Sequence, residues 1–252
     1  MIVEYHRPDT LEQALSLLQR QAPRTIPLGG GTRVSQMRSD DLAVVDLQAL
    51  GLDSSQQENG QFIIGTMARM KTLAEVEGLH PALKQIVTTE FPANMRQMAT
   101  VGGEIVSCDG RSALVTALLA MDARLVWLPE RNEISLGNYL PQRTADATLK
   151  LLVEIVFPAN GQLLVEKVSR SPVDFPLLSV AVFRWPSGRI RVALGGYGDA
   201  PILALDGPDA TGAELAAKDA YLAAGDEWCS AEYRSDVAAS LVGEMTRSFT
   251  QG

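Results

Sequence analysis

Cysteine and histidine are scarce in this chain. Its 252 residues include two cysteines, Cys108 and Cys229, and two histidines, His6 and His80. There is no CxxC or HxxxH pair and no set of four thiolates, so the sequence offers neither a zinc site nor an iron–sulfur cluster. We expect Cys108 to be a packed or partly exposed thiol rather than a nucleophile, and both histidines to be loop residues.

Long apolar runs and basic runs are also missing. No apolar run reaches the ~18 residues that a membrane span needs, and residues 1–5 lack the features of a signal peptide, so we expect a cytoplasmic protein. Lys and Arg total 22 against 30 Asp and Glu, a formal charge of −8. Because an acidic surface repels phosphate backbones, we expect no nucleic-acid partner.

Two glycine clusters about seventy residues apart are the most informative feature that is present. The first reads Leu28-Gly29-Gly30-Gly31-Thr32-Arg33 and the second reads Thr100-Val101-Gly102-Gly103-Glu104. Glycine lets a ligand approach the main chain closely, and successive N–H groups turned inward bind phosphate oxygens. The clusters therefore indicate either a clamp for a diphosphate or two ordinary tight turns.

The N-terminal region predicts a small β-α-β unit. Strands are expected at Ile2–Tyr5, Thr25–Leu28 and Leu42–Leu47, and a helix with its apolar face on Leu11, Ala14, Leu15 and Leu18. Thr10 with Gln13 fits a capping box at the start of that helix. The first glycine cluster would then follow the second strand, where α/β folds commonly bind ligands.

The rest of the chain predicts alternating strands and helices. Asn59-Gly60 indicates a hairpin before a strand at 61–65, and Ser112–Met121 is expected to be helical. Further strands are expected at Leu149–Phe157, 163–169, 177–184 and 189–193, followed by helices at 213–224 and after Ser230. The prediction is an α/β unit, an α+β unit and a C-terminal sheet with helices.

Familiar catalytic signatures are missing from this framework. The glycine clusters fit neither GxGxxG nor the Walker spacing, and there is no GxSxG motif. No pair of carboxylates stands out as an acid–base dyad. This absence is expected where a cofactor supplies the reactivity and the protein orients it.

Ordered segments along nearly the whole chain resemble the FAD-binding medium subunit of the molybdenum hydroxylases. That family includes the flavoprotein subunits of xanthine dehydrogenase and carbon monoxide dehydrogenase. The segments that carry the resemblance are Tyr5-His6-Arg7-Pro8, Leu28–Thr32, Ile64-Gly65-Thr66-Met67, Met95-Arg96, Ala99–Gly103, Ala117–Ala123, Glu166–Arg170 and Tyr233-Arg234.

The resemblance implies an α+β fold of the vanillyl-alcohol-oxidase (PCMH) type. Two FAD-binding subdomains, residues 1–53 (β-α-β) and 54–160 (α+β), would be followed by a C-terminal antiparallel sheet with helices at 161–252. One arm of the FAD diphosphate site would be Leu28, Gly29, Gly30, Gly31 and Thr32, and the other Thr100, Gly102 and Gly103. Arg33 would add charge or remain a surface arginine.

The resemblance also places Lys167 near the isoalloxazine ring, where a cation favours the reduced anion. The alternative for Lys167 is an ion pair with Glu154 or Glu166. Two positions depart from the family pattern, since Glu104 replaces an asparagine and Ala113 an aspartate. Glu104 would turn away from the diphosphate or reach a hydroxyl group of FAD, and Asp109 could substitute for the missing aspartate.

The function implied is that of an electron-transfer oxidoreductase subunit, similar to that of xanthine dehydrogenase. Partner chains would hold the molybdenum cofactor and the 2Fe-2S clusters, and electrons would pass through FAD to a terminal acceptor such as NAD. The alternative is a scaffold subunit of the same assembly in which Glu104 and Ala113 have weakened FAD binding.

Overall fold

The computed structural model describes residues 1–34, 41–143, 151–171 and 174–249. Leu149, the predicted first residue of one strand, lies outside these ranges. The chain divides into two compact units. The first consists of Met1–Val76, Phe91–Ser107 and Arg124–Val156, and the second of Glu77–Glu90, Cys108–Ala123 and Phe157–Gly252. The predicted domain limits after residues 53 and 160 stay predictions.

Strands and helices occur in runs along the described residues. The strands are β1 (Ile2–His6), β2 (Arg24–Leu28), β3 (Leu42–Asp46), β4 (Ser55–Glu58), β5 (Gln61–Gly65), β6 (Arg124–Leu128), β7 (Asn132–Ser135), β8 (Leu151–Pro158), β9 (Gln162–Val168), β10 (Leu178–Arg184), β11 (Ile190–Gly195) and β12 (Ile202–Gly207). The helices are α1 (Leu11–Leu18), α2 (Met70–Glu75), α3 (Pro81–Glu90), α4 (Ala93–Met98), α5 (Val101–Ser107), α6 (Ala113–Ala120), α7 (Leu136–Tyr139), α8 (Ala213–Ala220) and α9 (Ala231–Ser248).

A parallel three-stranded sheet opens the first unit, in the order β1-β3-β2. All five residues of β3 are buried, as expected for a central parallel strand. α1 connects β1 to β2 and begins as predicted, with the Thr10 hydroxyl accepting a hydrogen bond from the Gln13 N–H at 3.3 Å. The predicted β-α-β unit is confirmed, and its second strand ends at the first glycine cluster.

A five-stranded sheet in the order β4-β5-β8-β6-β7 completes the strands of the first unit. The predicted hairpin joins β4 to β5, with positive φ at both Asn59 (50°) and Gly60 (75°). This pair of left-handed residues twists the turn to match the two strands. Buried Val126, Leu128, Leu151 and Val153 of this sheet join Ala14 and Leu18 of α1 in one hydrophobic cluster.

The second unit is built on an antiparallel sheet in the order β12-β11-β10-β9. The buried side chains of β10 and β11 share a core with α8 and α9. All eight residues of α6 are buried, and this helix also contacts β10 and β11. α9 begins after Ser230, whose hydroxyl accepts from the Tyr233 N–H at 3.2 Å. The predicted α+β class with a C-terminal antiparallel sheet and helices is confirmed.

No helix in the described ranges is long and apolar enough to cross a membrane.

Candidate functional site

The first glycine cluster forms the loop that leaves the C-terminal end of β2. Gly31 has a φ of +72°, a conformation that other residues rarely adopt. Within the described part of the chain, no acceptor receives the N–H groups of Gly29, Gly30, Gly31 or Thr32. Half-buried N–H groups without a protein partner are available to a ligand. The loop therefore provides main-chain donors of the predicted kind.

The second glycine cluster begins a helix rather than a loop or a tight turn. The predicted role of Thr100, Gly102 and Gly103 in binding FAD stays a prediction. Gly102 and Gly103 lie in the first turn of α5. The Gly102 N–H donates to the Thr66 carbonyl oxygen at 2.9 Å, and the Gly103 N–H donates to Thr100 Oγ1 at 3.1 Å. The Glu104 N–H donates to the Thr100 carbonyl oxygen at 3.0 Å. Because these donors already have protein acceptors, Gly102, Gly103 and Glu104 offer no free main-chain N–H group to a ligand.

The two clusters meet around Thr100. A Cβ placed on Gly29 or on Gly103 would lie 2.8 Å from Thr100 Oγ1 in each case. A Cβ on Gly30 would overlap the carbonyl oxygen of Met98. Residues seventy positions apart in the chain thus come into direct contact, and glycine is required because any side chain would force them apart.

Gly102 is constrained in the same way by the residues before α2. A Cβ at this position would overlap the side chain of Thr66 and lie 2.9 Å from its carbonyl oxygen. Thr66 itself is 5 % exposed and cannot move into solvent without disturbing the core. Replacing Gly30 or Gly102 would consequently damage the fold locally, so neither position separates ligand binding from folding.

A cavity of about 190 Å³ adjoins the meeting point of the clusters, entirely within the first unit. Gly29, Gly102, Gly103, Thr66 and Thr100 form part of its wall. The rest is mainly apolar and aromatic, contributed by Ile26, Leu47, Met67, Trp127, Tyr139, Leu151 and Leu152. Exposed Arg24 also lines it. A mostly apolar cavity with a few convergent polar groups is the usual form of a cofactor site.

Trp127 adds an unsatisfied donor to this wall. Its side chain is 6 % exposed, and its indole N–H is buried without a hydrogen-bond partner among the described residues. The indole packs on the Tyr139 ring with a centroid separation of 5.1 Å. Buried donors without partners are rare in folded proteins because each loses its hydrogen bonds to water. A bound group with an acceptor atom would satisfy this one.

The remaining predicted site residues occupy different environments. Leu28 is the last residue of β2, and Thr32 is half-buried in the loop beyond it. Arg33 is exposed, and Glu104 is 9 % exposed on α5. Lys167 lies half-buried on β9 of the second unit, opposite Ser179 of β10. Its predicted position near a flavin ring stays a prediction.

Ala113 is buried at the start of α6, where its main-chain N–H group has an acceptor that the sequence did not suggest. The carboxylate of Glu90 accepts the N–H groups of Ala113 and Leu114 at 3.1 and 3.0 Å. A carboxylate is favourable at a helix N-terminus because the first N–H groups lack helical acceptors. Asp109, the suggested substitute, accepts the Arg111 N–H at 2.8 Å within its own turn.

The scarce histidines and cysteines form no metal centre. No group of three or more His, Cys, Asp or Glu in the described residues could hold a metal ion. His6 ends β1, with Nε2 2.8 Å from Glu4 Oε2, whereas His80 is buried and packs edge-on against Phe183. Cys108 is buried, as expected for a packed thiol.

Sequence reasoning missed the aromatic wall of the cavity. Trp127 and Tyr139 belong to β6 and α7, and nothing in their local sequence distinguishes them from core residues. Thr66 and Met67 lie in a segment that carries the family resemblance, so their position in the wall was signalled but not interpreted. Alignment of these segments, rather than any short motif, is the signal that could have found them.

Comparison with known proteins identifies the family to which this site belongs. Residues 1–160 match the family model described as the FAD binding domain in molybdopterin dehydrogenase. The chain belongs to this family. The predictions of a molybdenum hydroxylase FAD-binding medium subunit and of FAD as its cofactor are therefore confirmed, and the matched residues include both glycine clusters.

Individual relatives agree with this assignment. The chain is 31 % identical over 199 residues to the protein YgfM of Escherichia coli (strain K12). The aligned region covers 78 % of this chain and 75 % of YgfM. It is 26 % identical over 221 residues to the glyceraldehyde dehydrogenase medium chain of Sulfolobus acidocaldarius, covering 80 % and 78 % of the two chains.

Solved structures share the fold at low sequence identity. The CO dehydrogenase of Oligotropha carboxidovorans matches with a TM-score of 0.82 and 22 % identity over 97 % of both chains. Quinoline 2-oxidoreductase from Pseudomonas putida 86 matches with a TM-score of 0.80 and 19 % identity, covering 99 % of this chain and 97 % of that one. These matches confirm the predicted fold.

Proposed function

We propose that this chain is the FAD-binding electron-transfer subunit of a molybdenum hydroxylase similar to xanthine dehydrogenase. It would receive electrons from a 2Fe-2S partner chain, which is reduced by a molybdenum-cofactor chain, and pass them to a terminal acceptor such as NAD. The observation that carries the proposal is the junction of two glycine clusters beside a cavity in a member of an FAD-binding family.

The residues of the first unit fit FAD. The N–H groups of Gly29 to Thr32 would hold the diphosphate, with Arg33 and Arg24 adding positive charge. The cavity would take one ring system of FAD against Trp127 and Tyr139, and the indole N–H would donate to an acceptor on that group. When bound, FAD supplies reversible electron transfer, which the side chains of the protein cannot supply.

The second glycine cluster has a positioning role in this proposal. Gly102 and Gly103 let α5 approach Thr66 and Thr100, which fixes the first loop relative to the cavity. Lys167 would act on the flavin ring from β9, because a nearby cation favours the reduced anion and raises the reduction potential. Its alternative partner Glu154 accepts two hydrogen bonds from Arg131, at 3.0 and 2.9 Å.

The competing proposal is a scaffold subunit with weakened FAD binding. Glu104 favours it, because a buried carboxylate within four residues of Thr100 opposes a diphosphate nearby. Ala113 favours it as well, since its side chain offers no hydrogen bond to a cofactor.

Purification of the full chain together with its partner chains separates the two functions. The electron-transfer proposal predicts about one FAD per chain and substrate-dependent reduction of an acceptor by the assembly. A colourless chain that still assembles with its partners would favour the scaffold. Acceptor reduction by the isolated chain with its own substrate would contradict both, because each requires partner chains for the chemistry.

A further inference from the structure

Trp127 lies beside an irregularity in the sheet of the first unit. Where β6 pairs with β8, Val126 is opposite Glu154 but Trp127 is opposite Leu152, so Val153 is an extra residue without a partner on β6. An extra residue of this kind is a β-bulge, which bends its strand and redirects the side chains nearby. Bulges are frequent next to binding sites, and this one is adjacent to the indole that lines the cavity.

The main chain at this bulge is bonded to the glycine junction. The Val153 carbonyl oxygen accepts the Thr66 N–H at 3.0 Å, and the Thr66 carbonyl oxygen accepts the Gly102 N–H at 2.9 Å. Two hydrogen bonds thus connect the strand opposite Trp127 to the second glycine cluster. The indole and the proposed diphosphate site are therefore held in one framework before a ligand binds, which lowers the cost of ordering the site.

The size of the cavity distinguishes between the two ring systems of FAD. Complete ligand pockets usually measure about 300–1,000 Å³, whereas this cavity measures about 190 Å³. Adenine has two fused rings, while the isoalloxazine has three and carries two methyl groups. Adenine is also joined to the diphosphate by a single ribose, so it can enter a cavity whose wall includes Gly29. The cavity therefore suits adenine better than the flavin ring.

The donor in the wall favours the same ring. The indole N–H of Trp127 is buried without a partner among the described residues, and the wall also contains apolar Ile26, Leu47 and Leu152. Adenine has three ring nitrogens, N1, N3 and N7, whose lone pairs lie in the ring plane and accept from such a donor. The polar edge of an isoalloxazine has two carbonyl oxygens, two unprotonated nitrogens and an N–H, which need several partners when buried. A single donor in an apolar wall fits adenine.

We propose that Trp127 recognises the adenine ring of FAD by a hydrogen bond from its indole N–H to a ring nitrogen. This inference rests on the proposed function, because it gives one residue of the same site a role in specificity. The first unit then selects the adenine end of FAD rather than the flavin end. The chain should consequently bind ADP, which shares adenine, ribose and diphosphate with FAD, and discriminate against FMN, which lacks adenine.

Calorimetric titration of the full chain after removal of FAD tests the choice of ring, with ADP and FMN as probes. We expect one-to-one binding of ADP that competes with FAD, and binding of FMN that is at least about tenfold weaker. FMN that binds as tightly as ADP would overturn the inference, because the cavity would then accept the flavin end. Binding of FAD without binding of ADP would overturn this inference alone, whereas a chain that binds neither would overturn the proposed function as well.

Three analogues of ADP locate the hydrogen bond, since 1-deaza-ADP, 3-deaza-ADP and 7-deaza-ADP each replace one ring nitrogen by carbon. The analogue that lacks the accepting nitrogen should bind the parent about three- to tenfold more weakly than ADP does. It should bind Trp127→Phe as tightly as ADP does, because phenylalanine has no donor. Equal binding of all four nucleotides by the parent would overturn the inference whatever the stability of the variant, and so would an unchanged preference in Trp127→Phe.

Trp185→Phe is the matched control. Trp185 is half-buried in the second unit, where it packs edge-on against Phe183 with a centroid separation of 4.6 Å. This variant makes the same chemical change away from the cavity, so it should keep the preference of the parent among the nucleotides. Loss of that preference in both variants would show that the effect of Trp127→Phe is not local, and the inference would be wrong.

Discussion

Replacing Gly31 by alanine tests whether the first glycine loop touches the diphosphate. Gly31 has a φ of +72°, and a Cβ there would meet only Leu28 Cδ1, at 3.8 Å. The change therefore adds a methyl group without a clash inside the protein. Gly51 provides a matched control in the same unit, because its φ is +66° and a Cβ there would meet nothing within 4 Å.

The two substitutions should affect stability equally. A residue other than glycine in the left-handed region loses roughly 1–2 kcal/mol. The smaller conformational entropy of the unfolded alanine variant offsets about 0.4–1 kcal/mol of this loss in unfolding free energy. Each variant should then lose about 1 kcal/mol of unfolding free energy, which lowers the thermal midpoint of a chain of this size by roughly 2–4 °C.

The affinity for FAD should differ between the two variants. In Gly31→Ala the methyl group stands where main-chain donors approach the diphosphate, so we expect FAD to bind at least tenfold more weakly, a change of ~1.4 kcal/mol or more. Gly51→Ala should bind FAD like the parent.

Fluorescence titration of the apo-proteins with FAD, with thermal unfolding of the same samples, measures both quantities. An unchanged FAD affinity in Gly31→Ala would refute the proposed contact. Equal losses of affinity in both variants would show that the effect is loss of fold.

Three further predictions concern single side chains. Arg234→Ala should lower the unfolding free energy by about 3–5 kcal/mol, because it leaves the ionised carboxyl group of Asp226 without its buried partner; Arg247→Ala, which removes an exposed ion pair with Glu214, should lose less than about 1 kcal/mol. Glu104→Asn should tighten FAD binding about fivefold by removing ~1 kcal/mol of repulsion. Burial lowers the pKa of His80, so the stability that its neutral form provides is present above about pH 6.5 and falls as pH drops below it.

Urea unfolding and FAD titration check these outcomes. Comparable losses in the two arginine variants would show that the buried ion pair contributes little. Weaker FAD binding in Glu104→Asn would mean that Glu104 is a ligand and not an obstacle. His80→Gln should lose less stability between about pH 7.5 and pH 5.5 than the parent does, and an identical pH dependence would exclude His80 as the cause.

Local signals predicted much of the fold because they depend on neighbouring residues. The cap at Thr10, the left-handed pair Asn59-Gly60 and the cap at Ser230 each act within a few residues of chain, and all three are present in the structure. The apolar sequence of α6 likewise marks a helix that is buried on every side.

The second glycine cluster shows where local reasoning ends. Glycine disfavours helices and is typical of turns, so the local sequence Gly102-Gly103 favours a turn over a helix. The helix forms there because Thr66 and Ala68, more than thirty residues earlier, accept the N–H groups of Gly102 and Val101. Trp127 could not be assigned to the site for the same reason, since the cavity is assembled from segments that are distant in sequence.

The two compact units are interleaved along the sequence, and this limits where the chain can be cut without damaging a unit. The units are formed by six alternating segments, so the backbone passes from one unit to the other five times. A fragment that stops near residue 160 retains α6 but lacks β10 and β11, which that helix contacts. The eight buried, mostly apolar residues of α6 would then be exposed to water and would promote aggregation. Proteolytic cleavage or truncation at a single position cannot release either unit intact, so variants of the cofactor site must be compared in the uncut polypeptide.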